Sequence, residues 1–496
     1  MPAARVRARA ALSADLAPVA ALTALAAVLR FSTLDVQSLW VDEGFTAQIV
    51  RQPLGQLLDY VRTTESTPPL YYAAAWVWAK VFGTGEAGLR SLSALCGTML
   101  VALMYVLGRR LASRRVGLIG AALVAVSPFM VWYSQEARAY ALLALLCTLA
   151  FAWFVRALEV PRARVLAGWG VVSALAVATH YFAVFPLAAQ GIWLLWRCPR
   201  RRMVLAAGAL PVLTLLALSP LLLYQRDHVP RPWTGASTAL DQVLATGQAF
   251  LVGIEWNWLI HRPGVAALAA LGVLAVVLLV RRGDDAERRT GRLAAGVAGA
   301  AVTAPLLASL VATNYLAPRN VIYAWPLLAL ALAAGLGARR AGRLGVAAAG
   351  LLCALSAAIV VAGPLDDRLQ RDDWRATTRA AVGAGGSPVL VVTPRFIAAP
   401  VVEYYAGESA PLRAPVVADR IAVIGHAEAA PGLFSALPVA GFLPDGRGRA
   451  QRLAYSRYRG PPRTLVDPRA FAGYDGDVLG RRRDEPASRP ARLPGP

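Results

Sequence analysis

Apolar runs, each roughly 16 to 22 residues long and bounded by arginines, recur from the N-terminus to about position 362. Runs of this length suit helices crossing ~30 Å of hydrocarbon. They predict eleven spans, at 15–33, 87–107, 116–133, 138–157, 165–180, 182–196, 203–224, 263–280, 293–312, 319–337 and 344–362. The arginines between them set the orientation. Arg109–Arg115, Arg156–Arg164, Arg197–Arg202, Arg281–Arg292 and Arg339–Arg343 all become cytoplasmic when the N-terminus is inside. Residues 1–14 are then a cytoplasmic tail. The loop 34–86, the turn 134–138, the loop 225–262, the turn 314–319 and everything after residue 362 face outside.

The stretch Pro69–Phe82 is also apolar, but a twelfth span here would flip every later arginine cluster to the outer face. It is short for the bilayer and rich in Tyr and Trp, so it predicts a helix lying along the outer surface with its tyrosines among the headgroups. After Gly363 the pattern changes. Asp372–Val382 has the periodicity of an amphipathic helix, and Pro388–Val392 and Arg420–Ile424 read as short buried strands. The expected fold is therefore an α-helical polytopic membrane protein, residues 15–362, followed by a small extracytoplasmic α/β domain at 363–480. Residues 481–496 have a disordered composition. No internal repeat of the secondary-transporter kind is visible.

Composition supports this frame. Apolar residues make up 57% of the 496, and the mean hydropathy is +0.50. The net charge of +22 suggests nucleic acid, but much of it sits in short inter-helix loops where topology requires it. Lys80 is the one lysine, an imbalance that fits codon bias better than phosphate recognition. Cys96, Cys147, Cys198 and Cys353 form no CxxC pair, so neither a disulfide framework nor a zinc cluster is expected. The first apolar run follows Arg5, Arg7 and Arg9 but has no convincing cleavage site, and it reads as a retained span.

The candidate chemistry gathers at the outer mouths. Ser38-Leu39-Trp40-Val41-Asp42-Glu43-Gly44 sets two adjacent carboxylates in apolar residues at a membrane surface, an expensive arrangement to desolvate. A carboxylate so placed can act as a general base on an acceptor hydroxyl. The same pair can instead start a helix near Phe45, through an Asp cap and a Glu in the first turn. Thr67-Pro68-Pro69-Leu70-Tyr71-Tyr72 follows, with prolines suited to a helix start. Ser127-Pro128 and Trp132-Tyr133-Ser134-Gln135-Glu136-Ala137-Arg138-Ala139-Tyr140 make a tight outer turn, where Arg138 can hold a lipid phosphate. Thr179-His180-Tyr181 ends the fifth span, with His180 either a packing residue or a ligand. Arg319, in Asn314-Tyr315-Leu316-Ala317-Pro318-Arg319-Asn320, can bind an anion or snorkel from a helix end.

Together these motifs resemble the GT-C integral membrane glycosyltransferases, specifically the bacterial family-39-like group related to protein O-mannosyltransferases and aminoarabinose transferases. The resemblance covers roughly residues 15 to 340 and is most specific over the first 160. It implies inverting sugar transfer from a polyprenyl-phosphate donor on the outer face of a bacterial cytoplasmic membrane, to a glycan, lipid or protein acceptor. It makes Asp42 the base and Glu43 its neighbour or acceptor-orienting partner. Glu136, Arg138 and Tyr140 fall on the family's second outer loop, where donor phosphate or an ion is contacted. His180, Tyr181, Tyr315 and Arg319 complete the candidate substrate set. Thr67 stands where relatives often carry histidine or lysine, and Asn314 where many carry arginine. No metal ligands are assigned and no cofactor is certain, with a divalent cation as the possible one. A lipid-linked glycan flippase predicts ionisable residues at mid-span, whereas here they collect at the mouths. An O-antigen-ligase-like enzyme would centre on the 225–262 loop, with Arg226, His228, Arg231 and His261.

Overall fold

The structure, a computed structural model, describes residues 2–229, 238–253, 262–309, 316–383, 388–407, 409–426, 428 and 431–481. Its helices in chain order are α1 (Pro2–Phe31), α2 (Val41–Arg51), α3 (Leu54–Thr64), α4 (Leu70–Phe82), α5 (Glu86–Leu111), α6 (Arg114–Ala125), α7 (Pro128–Ser134), α8 (Tyr140–Glu159), α9 (Ala163–Thr179) and α10 (Val184–Arg197). They continue with α11 (Arg201–His228), α12 (Ala239–Val252), α13 (Arg262–Arg282), α14 (Asp285–Ser309), α15 (Ala324–Leu336), α16 (Gly342–Ala362), α17 (Trp374–Val382), α18 (Ala399–Ala406) and α19 (Pro431–Ser435). Two compact units emerge. The first is Met1–Leu34 with Gln52–Leu369, and the second is Asp35–Arg51 with Gln370–Pro496.

Among the described residues each expected span contains helix, and the protein is a multi-pass membrane protein. By length and apolarity six helices among the described residues can each cross a bilayer. The expected single span at 116–133 is instead the pair α6 and α7, bent by 59°. Pro128 lacks an N–H and disfavours helix at Ser127, and the Ser127 hydroxyl caps α7 by accepting from the Met130 N–H at 3.3 Å. The carbonyls left at the end of α6 are taken by Arg30, which is 0% exposed. Its guanidinium donates to Ala125 O (2.9 Å), Val124 O (3.0 Å), Ala26 O (3.2 Å) and Ser134 Oγ (3.2 Å). Four acceptors and the negative end of the α6 dipole compensate the buried charge. Gly97 on α5 makes room, because a Cβ there would lie 2.0 Å from Ser134 Oγ.

Two further differences concern the loops. The 225–262 region contains α12, started by a capping box in which Thr238 and Asp241 satisfy each other's backbone N–H groups. Its polar first turn and short length had disguised it as loop. The Pro69–Phe82 stretch does form a helix, α4, but Tyr71 and Tyr72 are 0% exposed. Their hydroxyls meet Ser93 Oγ at 3.2 Å and Thr67 Oγ1 at 3.0 Å, so these tyrosines pack within the protein and are not headgroup anchors.

The second unit is built on six strands: β1 (Val389–Thr393), β2 (Ser409–Pro411), β3 (Val416–His426), β4 (Leu443–Ala450), β5 (Leu453–Val466) and β6 (Asp477–Arg481). Their order is β2-β6-β1-β3-β5-β4, with β1 and β3 parallel and the other pairs antiparallel. Strand β1 is buried along its whole length, as its unbroken apolar run predicts, while β4 and β5 lack a clean apolar alternation and were not expected from the sequence. The predicted amphipathic helix is α17. Residues 482–496 lie outside the described residues.

Candidate active site

The acid pair opens helix α2. Trp40 is its cap: the Glu43 and Gly44 N–H groups both donate to Trp40 O, at 3.0 and 3.1 Å. Glu43 Oε2 reaches back to accept the Trp40 N–H at 3.3 Å, the reciprocal half of a capping box. The helix therefore starts at Val41, four residues before Phe45, and the capping role belongs to Glu43. That carboxylate is 0% exposed and meets Arg371 Nη1 at 3.4 Å. Asp42, one position earlier, points to a different sector and stays partly exposed. Adjacent acids thus acquire distinct environments within the second unit.

The remaining candidates sit in the first unit. Arg138 forms a bidentate ion pair with Glu65, at 2.5 and 2.7 Å, and both side chains are almost fully buried. The guanidinium carbon also lies 5.7 Å from the centre of the Tyr72 ring. Arg138, expected to hold a phosphate, therefore already has a carboxylate partner, and Glu65 was missed although it stands just three residues before Pro68. The Tyr140 and His180 rings are 6.0 Å apart, and the charges of both Arg138 and Arg319 act on His180. His180 Nδ1 accepts the Phe182 N–H at 3.2 Å, which assigns its proton to Nε2 when neutral. The Tyr181 hydroxyl donates to Gln225 Oε1 at 3.0 Å, and Gln225 in turn donates to Val61 O and Thr67 O. Glu136 is buried as well. Pro68 and Pro69 immediately precede α4. The structure thus gathers Arg138, Tyr140, His180 and Arg319, whereas Tyr315, Asn314, Arg231 and His261 lie outside the described residues.

Among the described residues no three His, Cys, Asp or Glu side chains converge as metal ligands. Glu43 and Glu65, the acids nearest the candidate chemistry, already serve arginines.

Residues 66–224 match the family described as dolichyl-phosphate-mannose-protein mannosyltransferase. ArnT from Cupriavidus metallidurans in the apo state is similar over 88% of this chain and 97% of its own, with 13% identity and a TM-score of 0.59. The same protein bound to undecaprenyl phosphate gives 14% identity over 89% and 98%, with a TM-score of 0.57. In fold and in this family match the chain is similar to the GT-C membrane glycosyltransferases. A search of curated proteins finds no match. The family match begins at Ser66, so it takes in the Pro-Pro-Leu-Tyr-Tyr segment and the Glu136–Tyr140 turn but not the acid pair. Helix α2 and its partners are therefore known from the geometry alone.

Proposed function

We propose that this enzyme transfers a sugar, with inversion, from a polyprenyl-phosphate donor to an acceptor hydroxyl on the outer face of a bacterial cytoplasmic membrane. Asp42 is the general base. The observation that carries the assignment is the split within the acid pair: Glu43 is sealed against Arg371 and the Trp40 N–H, whereas Asp42 remains partly exposed at the same helix start. The mannosyltransferase family match, and a fold neighbour that binds undecaprenyl phosphate, support the donor class.

In this reading Asp42 takes the proton of the acceptor hydroxyl as its oxygen attacks C1 of the sugar. The C1–O bond to phosphate breaks, and the electron pair leaves with the lipid phosphate. That anion needs compensating positive charge, a role for which the family resemblance makes Arg319 a candidate. One base and one anion stabiliser suffice for inversion, since no carboxylate nucleophile is required. The second unit would then be extracytoplasmic, together with the first outer loop.

The test is transfer of radiolabelled sugar in membranes carrying Asp42→Asn at wild-type protein level. Loss of a positioned general base is expected to lower the rate about 10²–10⁴-fold. Full transfer by this variant would remove the assignment. A donor panel of polyprenyl-phosphate mannose, glucose, arabinose and aminoarabinose identifies the sugar.

A further inference from the structure

Segment Asp35–Arg51 is separated by over 300 residues from the rest of the unit it folds into. Contacts that fix it come from two stretches of that unit, residues 371–375 and helix α18. Arg375, for example, donates to Asp35 O and Val36 O. Arg371 donates its backbone N–H to Gln37 Oε1 at 3.0 Å, pairs with Glu43 through its guanidinium, and lies over the Trp40 ring at 5.6 Å. The Ser38 hydroxyl donates to Asp372 O at 3.0 Å and accepts the Trp374 N–H at 3.1 Å. From α18, the Tyr405 hydroxyl accepts the Leu39 N–H at 2.5 Å, and Glu403 Oε2 accepts from Gln48 Nε2 at 2.7 Å. Arg51 lies over Tyr404 at 4.6 Å. Between these ties the two helices touch backbone to backbone, because a Cβ on Gly44 would lie 2.6 Å from Val401 N.

We infer that Arg371 is a positioning residue for the glycosyl transfer, and that the C-terminal segment belongs to the catalytic apparatus by orienting the helix that carries Asp42. The inference rests on the assignment of Asp42 as base. A helix of 11 residues has little stability of its own, so its direction is set by what it packs against. Arg371 holds the chain on both sides of the helix start: Gln37 in the approach, four residues before Val41, and Glu43 within the first turn. With Glu43 pinned, the side chain at position 42 emerges in one direction only. A base misplaced by about 1 Å loses about 10²-fold in rate without any loss of substrate affinity. The chemistry of the clamp accounts for the residue types. Glu43 accepts from a backbone N–H and a guanidinium together, and neither a neutral side chain nor a misplaced cation would satisfy both.

The experiment uses the purified full chain with polyprenyl-phosphate sugar, measuring kcat, donor KM and the thermal midpoint. Arg371→Met is expected to lower kcat at least about 30-fold with donor KM within about twofold. Arg371→Lys should stay within about fivefold of wild type, because an ammonium still reaches Glu43. Gly44→Ala removes no charge but displaces α2 from α18, and should reproduce the kcat loss. In the double variant Glu43→Gln, Arg371→Met no buried charge is left unpaired. Its thermal midpoint should recover toward wild type while its kcat stays low, which a purely structural role would not produce. Wild-type kcat in Arg371→Met, or recovery of kcat together with the midpoint in the double variant, would overturn the inference. An active Asp42→Asn would instead remove the base assignment on which it rests. An inactive Asp42→Asn beside a fully active Arg371→Met refutes the positioning role alone.

Discussion

Replacing Glu65 by Gln tests how the first unit holds a deeply buried ion pair. Glu65 is 2% exposed and Arg138 6%, and both carboxylate oxygens are used by the two terminal nitrogens of the guanidinium. Neither side chain has bulk water to fall back on. Removing one partner leaves the other charge desolvated, a loss of about 3–5 kcal/mol for a pair this buried. The reverse single change, Arg138→Met, strands the carboxylate and should cost about as much. Combining them removes both charges and keeps most of the volume, so the double variant should be more stable than either single one. The expected coupling energy is at least about 2 kcal/mol, well above the additivity error for independent sites. The assay is unfolding of the detergent-solubilised full chain, wild type and three variants, followed by one probe under one condition. Two single losses below about 1 kcal/mol, or a double loss equal to their sum, would refute the reasoning, because either would mean that water reaches the pair.

Arg30→Met should destabilise the bend between α6 and α7 by about 2–4 kcal/mol, since the buried Val124 and Ala125 carbonyls lose their donors. Arg30→Lys should recover part of that, because one ammonium cannot reach all four acceptors, and a thermal midpoint unchanged in Arg30→Met would contradict this account. His426 gives a pH prediction for the second unit. Burial lowers its pKa below the usual 6.5, opposed by Asp372 and Glu428 and reinforced by Arg452. The folded state thus favours neutral His426, and that share of stability, present above pH 6.5, is lost as pH falls toward the folded pKa. His426→Gln should therefore flatten the fall of the thermal midpoint between about pH 7.5 and 5.5, and an unchanged slope would show that other groups set it.

Much of the helical frame was legible along the chain. Apolar runs of span length and arginine clusters located the helices of the first unit, and the unbroken apolar run of β1 marked a buried strand. The break at Ser127-Pro128 was visible as a motif, but its consequence needed Arg30, about a hundred residues away, to take the freed carbonyls. Strands β4 and β5 were illegible because glycine, proline and arginine interrupt any apolar alternation; β5 is placed by its register with β3, and β4 by its register with β5.

At the site, sequence alone determined that Asp42 and Glu43 are adjacent. A helix start near Phe45 with Asp42 as its cap was one of two readings, and the structure starts the helix at Val41 and gives the reciprocal capping contact to Glu43. Local physics suffices for such a cap, since capping involves groups within three residues of each other. Only the tertiary structure decided which acid seals the helix and which stays partly exposed. It did so because Arg371, Tyr405 and Val401 approach from the far end of the chain. It likewise decided that Arg138 answers to Glu65, a pairing set by burial across 73 positions. Burial and partner charge govern what an ionisable group can do. For these residues both are properties of the folded chain.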